Sequence, residues 1–243
     1  MRDLKIIFKK ALLDTIAALR GDGKYFIPFF IGCLFLLRGI EEILHYMSHG
    51  PIGFISGILN GLATVAVYAV LAKVLNSITL TNRFSLRGLF YNYGTYFFNV
   101  LNVAFYIYVA RFLLFYSQPL FMAGELNFYS GPMIFFIVMQ IVLNPLPETV
   151  YVEGVTGGTA FRRCLLFMKD NFLPWLLLNL FYIFIFFAKD ILFRGEMEVV
   201  SIQTLLMLIV IPLLFIMRGK AYLFLYQTTK RKRAFMSEYD DFF

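Results

Sequence analysis

Residues 157–187 read GGTAFRRCLLFMKDNFLPWLLLNLFYIFIFF. Phe161, Cys164, Leu165 and Met168 fall at i, i+3, i+4 and i+7, with Arg162, Arg163 and Lys169 off that arc. The spacing predicts an amphipathic helix lying along a membrane surface, its basic groups toward lipid headgroups. A polar break at 169–171 follows, then an aromatic-rich apolar run over 172–187. A helical crossing needs about 20 apolar residues, so this run is a short membrane span.

The same reading extends outward in both directions. Further apolar runs cover 25–46, 52–75, 96–116, 132–152 and 200–224, which predicts an all-α polytopic bundle of six transmembrane helices. Residues 1–226 form one transmembrane domain, and 227–243 form a tail. The chain is 60% hydrophobic and 15% charged, with 30 Phe and 15 Tyr, and its mean hydropathy is +0.74. Soluble domains hold about 45–50% apolar and about 25% charged residues.

Charge fixes the expected orientation. Lys and Arg gather before the first span, between the second and third, between the fourth and fifth, and after the sixth. The opposite side holds only Lys189 and Arg194, while Arg38 and Arg111 fall within spans. The positive-inside rule then predicts cytoplasmic N- and C-termini, with Arg218 and Lys220 marking the last exit. The net charge of +7 points to anionic lipid headgroups rather than nucleic acid, because the basic residues border the apolar runs.

Two more segments resemble 157–169. Leu4, Ile7, Phe8, Ala11, Leu12, Ile16 and Leu19 share an arc before the first span, and Phe84, Leu86, Leu89 and Phe90 make a shorter one before the third. The junctions LRGDGKYFIPFF, FYNYGTYFFNVL and FMKDNFLPWLLL look alike. They read either as three repeats of interfacial helix plus two spans, or as the polar break common to multispan chains. Pro28 and Pro174 sit early in their spans, where a missing N–H costs least.

The segment 157–187 resembles the helix-plus-span unit of the membrane domain attached to some bacterial glycerophosphodiester phosphodiesterases. Related stand-alone bacterial membrane proteins share it. The resemblance implies a six-span domain in a bacterial cytoplasmic membrane. It carries over no activity, because the catalytic phosphodiesterase domain has no counterpart here.

Charges in hydrocarbon face protein or water. Arg38, Glu41, Glu42 and His45 stand at offsets 0, 3, 4 and 7, on one face of the first span. Arg111 lies at similar depth in the third. These residues read as an ion-pair network between the odd spans, as a polar cavity for a substrate, proton or headgroup, or as a metal site. The last reading rests on Glu42-x-x-His45, but carboxylate-bridged metal sites use that motif twice and one copy is present, so no metal or cofactor is expected. Pro145 and Pro147 predict a broken fourth span, with Asn144 and Glu148 flanking an ion or substrate site. Alternatively, Glu148 pairs with Arg162 or Arg163 in headgroup water.

Gly53, Gly57 and Gly61 recur every four residues and predict close helix packing, within the chain, in a homodimer or against another membrane protein. Gln140 and Asn60 are expected to make interhelical hydrogen bonds. Cys33 and Cys164 lie in different compartments, so no disulfide is expected. The sequence holds no P-loop, HExxH or Gly-x-Ser-x-Gly pattern. The leading expectation is a non-enzymatic, permease-like or lipid-handling subunit working with a partner. The alternatives are an enzyme acting on a lipid headgroup through Glu41, Glu42 and His45, and a membrane assembly or scaffold factor.

Overall fold

The computed structural model describes residues 2–46, 52–86, 93–122, 138–139, 141–192, 197–229 and 232–233; side chains at 2–3, 52, 111, 113–122, 181–192 and 197–207 lie outside that description. Among the described residues every regular element is helical. In chain order they are α1 (Arg2–Arg20), a 3-10 turn (Asp22–Tyr25), α2 (Phe26–Tyr46), α3 (Ile52–Thr81), α4 (Tyr93–Met122), α5 (Leu146–Glu153), α6 (Gly157–Leu192) and α7 (Met197–Gln227).

The well-packed part of the molecule is one end of the bundle. The beginnings of α2, α4 and α6 meet the closing turns of α3 and α7 there, with α1 and α5 wedged among them. Phe26 and Phe30 of α2 pack on Val74 and Ile78 of α3, together with Tyr151 and Ile216. A second group joins Ile7 and Ala11 of α1 to Trp175 and Leu178 of α6 and to Ala221 and Leu225 of α7. Val103, Leu146, Val150, Ala160 and Cys164 form a third.

α1 lies on protein, which corrects the simple surface-helix reading. Ile7, Ala11, Thr15 and Ala18 are its buried stripe, whereas Leu12, Leu13 and Ile16 are exposed. Small residues in the stripe let α1 settle closely against α7. Gly23 then lets the chain turn tightly into α2, because a Cβ there would stand 2.6 Å from the Ala18 carbonyl oxygen. In the amphipathic half of α6 the buried apolar positions are Ala160, Cys164, Phe167 and Met168, with Leu165 turned outward.

Several boundaries differ from the sequence reading. α6 is two helical halves joined at Asn171, whose φ of −126° and ψ of 20° are non-helical, so the expected polar break at 169–171 appears as a kink between them. Pro174 supplies no N–H, and the Asn171 side-chain amide donates to the Phe167 carbonyl at 3.3 Å. The third interfacial helix is absent as far as the description goes: Phe84 and Leu86 lie in non-helical chain, and Leu89 and Phe90 fall outside the described residues. An amphipathic helix precedes an apolar stretch at two of the three expected places, and the third falls partly outside the described residues.

Two described helices are long and apolar enough to cross a membrane, Gly53–Thr81 and Leu208–Gln227. α2 has the length, but every 18-residue window in it contains Arg38, Glu41 and Glu42. The expected spans at 96–116, 132–152 and 172–187 each include residues or side chains outside the description.

Candidate functional site

The chain breaks at 143–145, between helical residues 141–142 and α5. Pro145 cannot donate to the ladder, and α5 restarts with Pro147 in its first turn. The expected break is therefore present, and it puts Asn144 and Glu148 side by side at the packed end. Glu148 is fully buried.

Its partner comes from α7. Arg218 sets Nε 2.7 Å from Glu148 Oε1, and its Nη2 donates to Oε2 at 2.9 Å. The same Nη2 donates to the Asn144 backbone carbonyl at 2.9 Å and to Asn144 Oδ1 at 3.0 Å. Trp175 Nε1 donates to that Oδ1 at 3.2 Å, and the guanidinium lies 5.4 Å from the Trp175 ring centroid. The break thus exposes a carbonyl and a carboxylate, and one planar guanidinium satisfies both.

This corrects the expected pairing of Glu148 with Arg162 or Arg163. Arg218, expected only to mark the end of the last apolar run, is anchored to protein. The Asn144–Glu148 pair is occupied by an internal cation, which leaves little room for a transported ion. A chain of polar contacts continues outward. Tyr222 Oη and Thr149 Oγ1 lie 3.0 Å apart, Tyr222 Oη donates to Glu153 Oε1 at 2.5 Å, and Arg163 Nε stands 3.9 Å from Glu153 Oε2. Phe167 stacks on Tyr222 with centroids 4.3 Å apart.

Lys220 is likewise turned inward. Its Nζ donates to the Thr79 carbonyl at 2.7 Å and to Asn82 Oδ1 at 2.5 Å. Asn82 ends α3 in the left-handed conformation (φ 58°), so the ammonium sits on the carbonyl end of α3, where the helix dipole favours a cation.

The second sequence candidate lies about 12 Å beyond Phe30 along α2, measured to Arg38 at 1.5 Å per residue. Arg38 pairs within its own helix, Nη1 3.4 Å from Glu41 Oε2 and Nη2 2.7 Å from Glu42 Oε1. These groups are well exposed, with the Arg38 side chain at 71%. His45 is exposed on the following turn. The Arg111 side chain falls outside the described residues, so the structure joins Arg38, Glu41 and Glu42 but not the expected inter-span set. Among the described residues no three His, Cys, Asp or Glu side chains cluster as a metal site would need.

The glycine stripe is open. Among the described residues, a Cβ on Gly57 or Gly61 would meet nothing within 4 Å, so the expected close packing of that face is not met by any described helix. Asn60 Oδ1 is buried without the hydrogen-bond partner expected of it. Gln140 lies outside the described residues. Cys33 and Cys164 are both free thiols.

Sequence reasoning missed Trp175, Tyr222 and Glu153. A signal was present. Two carboxylates, Glu148 and Glu153, follow a proline pair, and the lone tryptophan and an Arg-Gly-Lys triplet sit at the matching ends of two later apolar runs.

No protein-family model, curated protein or solved structure matches the chain.

Proposed function

We propose that the chain crosses a bacterial cytoplasmic membrane six times, with both termini cytoplasmic, and serves as a non-catalytic, permease-like or lipid-handling component acting with a partner. The carrying observation is where apolar side chains are left uncovered. Away from the packed end, α2, α3 and α4 expose Phe35, Phe54 (77%), Ile55, Phe105 (62%) and Tyr108. Scattered exposed apolar residues are ordinary in soluble proteins; large ones recurring along α2, α3 and α4 make a belt suited to lipid or to a partner. The cationic segments lie at the opposite end, where the positive-inside rule wants them.

Within that belt the charged strip of α2 is the exception. Arg38, Glu41 and Glu42 are exposed at a depth where lipid contact is costly. A water-filled cavity or a partner helix accommodates them, which favours a permease-like or subunit role. The likeness of 157–187 to a six-span bacterial membrane domain agrees with the topology.

Cysteine labelling in intact cells tests the topology. Positions 47–51 should label from outside and the tail only after permeabilisation; labelling of both from one side overturns it. A photo-crosslinking residue at position 42 tests the role. A protein or ligand adduct is expected there and a lipid adduct at position 54, whereas lipid adducts at both sites overturn the reading of the strip.

A further inference from the structure

A cleft of about 480 Å³ opens between the amphipathic half of α6 and the closing turn of α7. Its floor is apolar, from Phe167 and Leu225, and its walls carry Glu153, Arg163, Asp170 and Tyr226. The volume lies within the range of small-molecule sites, roughly 300–1,000 Å³.

The charges decide what fits. The Glu153 side chain is only 6% exposed. Oε1 is held by Tyr222, while Oε2 has Arg163 at 3.9 Å, beyond hydrogen-bond reach. The guanidinium is therefore near Glu153 without being locked to it. Asp170 adds a second carboxylate, and the half-exposed Tyr226 ring, stacked on Tyr222, offers a face that attracts cations. A polyphosphate is disfavoured by Glu153 and Asp170: Arg163 is the one arginine among the described lining residues, and the neighbouring Arg233 guanidinium is already held by the Thr228 carbonyl and Asn171 Oδ1. A bare divalent cation is disfavoured by the Arg163 guanidinium, which stands 3.9 Å from Glu153 Oε2 and repels it. An ammonium against Glu153, Asp170 and Tyr226, with an anionic oxygen group against Arg163, satisfies every wall at once.

We propose that this cleft binds an aminoalkyl phosphate, its ammonium on Glu153, Asp170 and Tyr226, its phosphate on Arg163 and its carbon stem over Phe167 and Leu225. The group belongs to a zwitterionic phospholipid or to a free phosphoethanolamine. The lipid source rests on the lipid-handling reading above, whereas the site chemistry does not.

Calorimetric titration of the full chain in detergent tests it, with free phosphoethanolamine, dihexanoyl phosphatidylethanolamine and dihexanoyl phosphatidylglycerol as probes. Arg163 and Asp170 are on the rim, so R163Q and D170N leave the fold standing. The ethanolamine probes should bind, and each variant should weaken them by about tenfold, as expected for loss of one charge-assisted contact. Binding of free phosphoethanolamine without the lipid keeps the site and overturns the lipid source. Glycerol lipid binding as well as the ethanolamine lipid, binding that ignores both variants, or no binding of either ethanolamine probe overturns the site, whatever the topology map shows.

Discussion

Arg218 closes on Glu148 with two contacts, Nε to Oε1 at 2.7 Å and Nη2 to Oε2 at 2.9 Å, across 70 residues of chain. The pair ties the last long helix to the break before α5. Removing one partner from a buried pair strands the other charge, at about 3–5 kcal/mol. Glu148→Leu and Arg218→Leu should therefore each lower the thermal midpoint of the detergent-purified protein sharply. The double variant E148L/R218L should recover most of the loss, since apolar replacement of both partners is often neutral. A double variant that loses the sum of the two single losses would show that the pair does not act as a unit.

At Gly219, the next residue, α7 packs tightly against α3 and α5. A Cβ there would stand 2.5 Å from Thr79 Oγ1 and 2.6 Å from Tyr151 Oη. Both side chains are buried, so neither moves freely. Gly219→Ala should cost about 1–3 kcal/mol as an overpacked core position. Adding T79A and Y151F should return part of it by clearing both hydroxyls. A G219A midpoint equal to that of the wild type would refute this close approach.

Lys220→Met removes the donor to the Thr79 carbonyl and to Asn82 Oδ1. Both acceptors then lose a charged partner, worth about 1.5–3 kcal/mol. Hydrogen exchange should locate the loss in the last turn of α3. Exchange that rises instead in α2 or α4 would argue against the capping role.

The helices themselves were legible because apolar runs of this length have few other readings: α2 and α7 begin and end within three residues of the runs, whereas α3 continues past the expected end at 75 to Thr81. Partners were not. Arg218 and Lys220 stand beside an apolar run like any anchoring cation, and a charge count cannot distinguish a guanidinium on a headgroup from one on Glu148. Nor does the arc of α1 reveal which apolar residues meet protein: Ala11 and Ala18 are buried while the larger Leu12 and Leu13 are not, because small side chains allow close helix contact. The break at 143–145 was readable, since proline's missing N–H is a local fact. The cation that answers it is 70 residues away and is not.

Cys164 offers a check on the packing of α5 against α6. Burial pushes its thiol up to about 12, with the nearby Glu148 and Glu153 carboxylates adding to the rise. The thiolate is the reactive form, so maleimide should label Cys164 at pH 8 only after unfolding. The linkage has a definite sign. Unfolded chains ionise this thiol near 9 and the folded chain near 12, so its contribution to stability is complete below pH 9 and declines from there to about 12. Replacing it with Ser should flatten that alkaline decline. Rapid labelling of the folded protein would show the α5–α6 contact to be open.

The glycine stripe separates packing within the chain from packing against something else. Gly57 and Gly61 face open space, and a helix gains about 0.5–1 kcal/mol when an interior glycine becomes alanine without a clash. G57A/G61A should therefore hold or raise the thermal midpoint of the monomer. The bulkier G57L/G61L should be tolerated too, because no neighbour occupies the space. A stripe reserved for another helix behaves differently once the partner is present. There, leucine blocks the backbone approach that small residues permit, so cross-linked dimer or partner should disappear in membranes while the purified monomer stays folded. A lowered midpoint for G57L/G61L in detergent would mean that the stripe packs inside the chain after all, and the partner surface would have to be sought elsewhere.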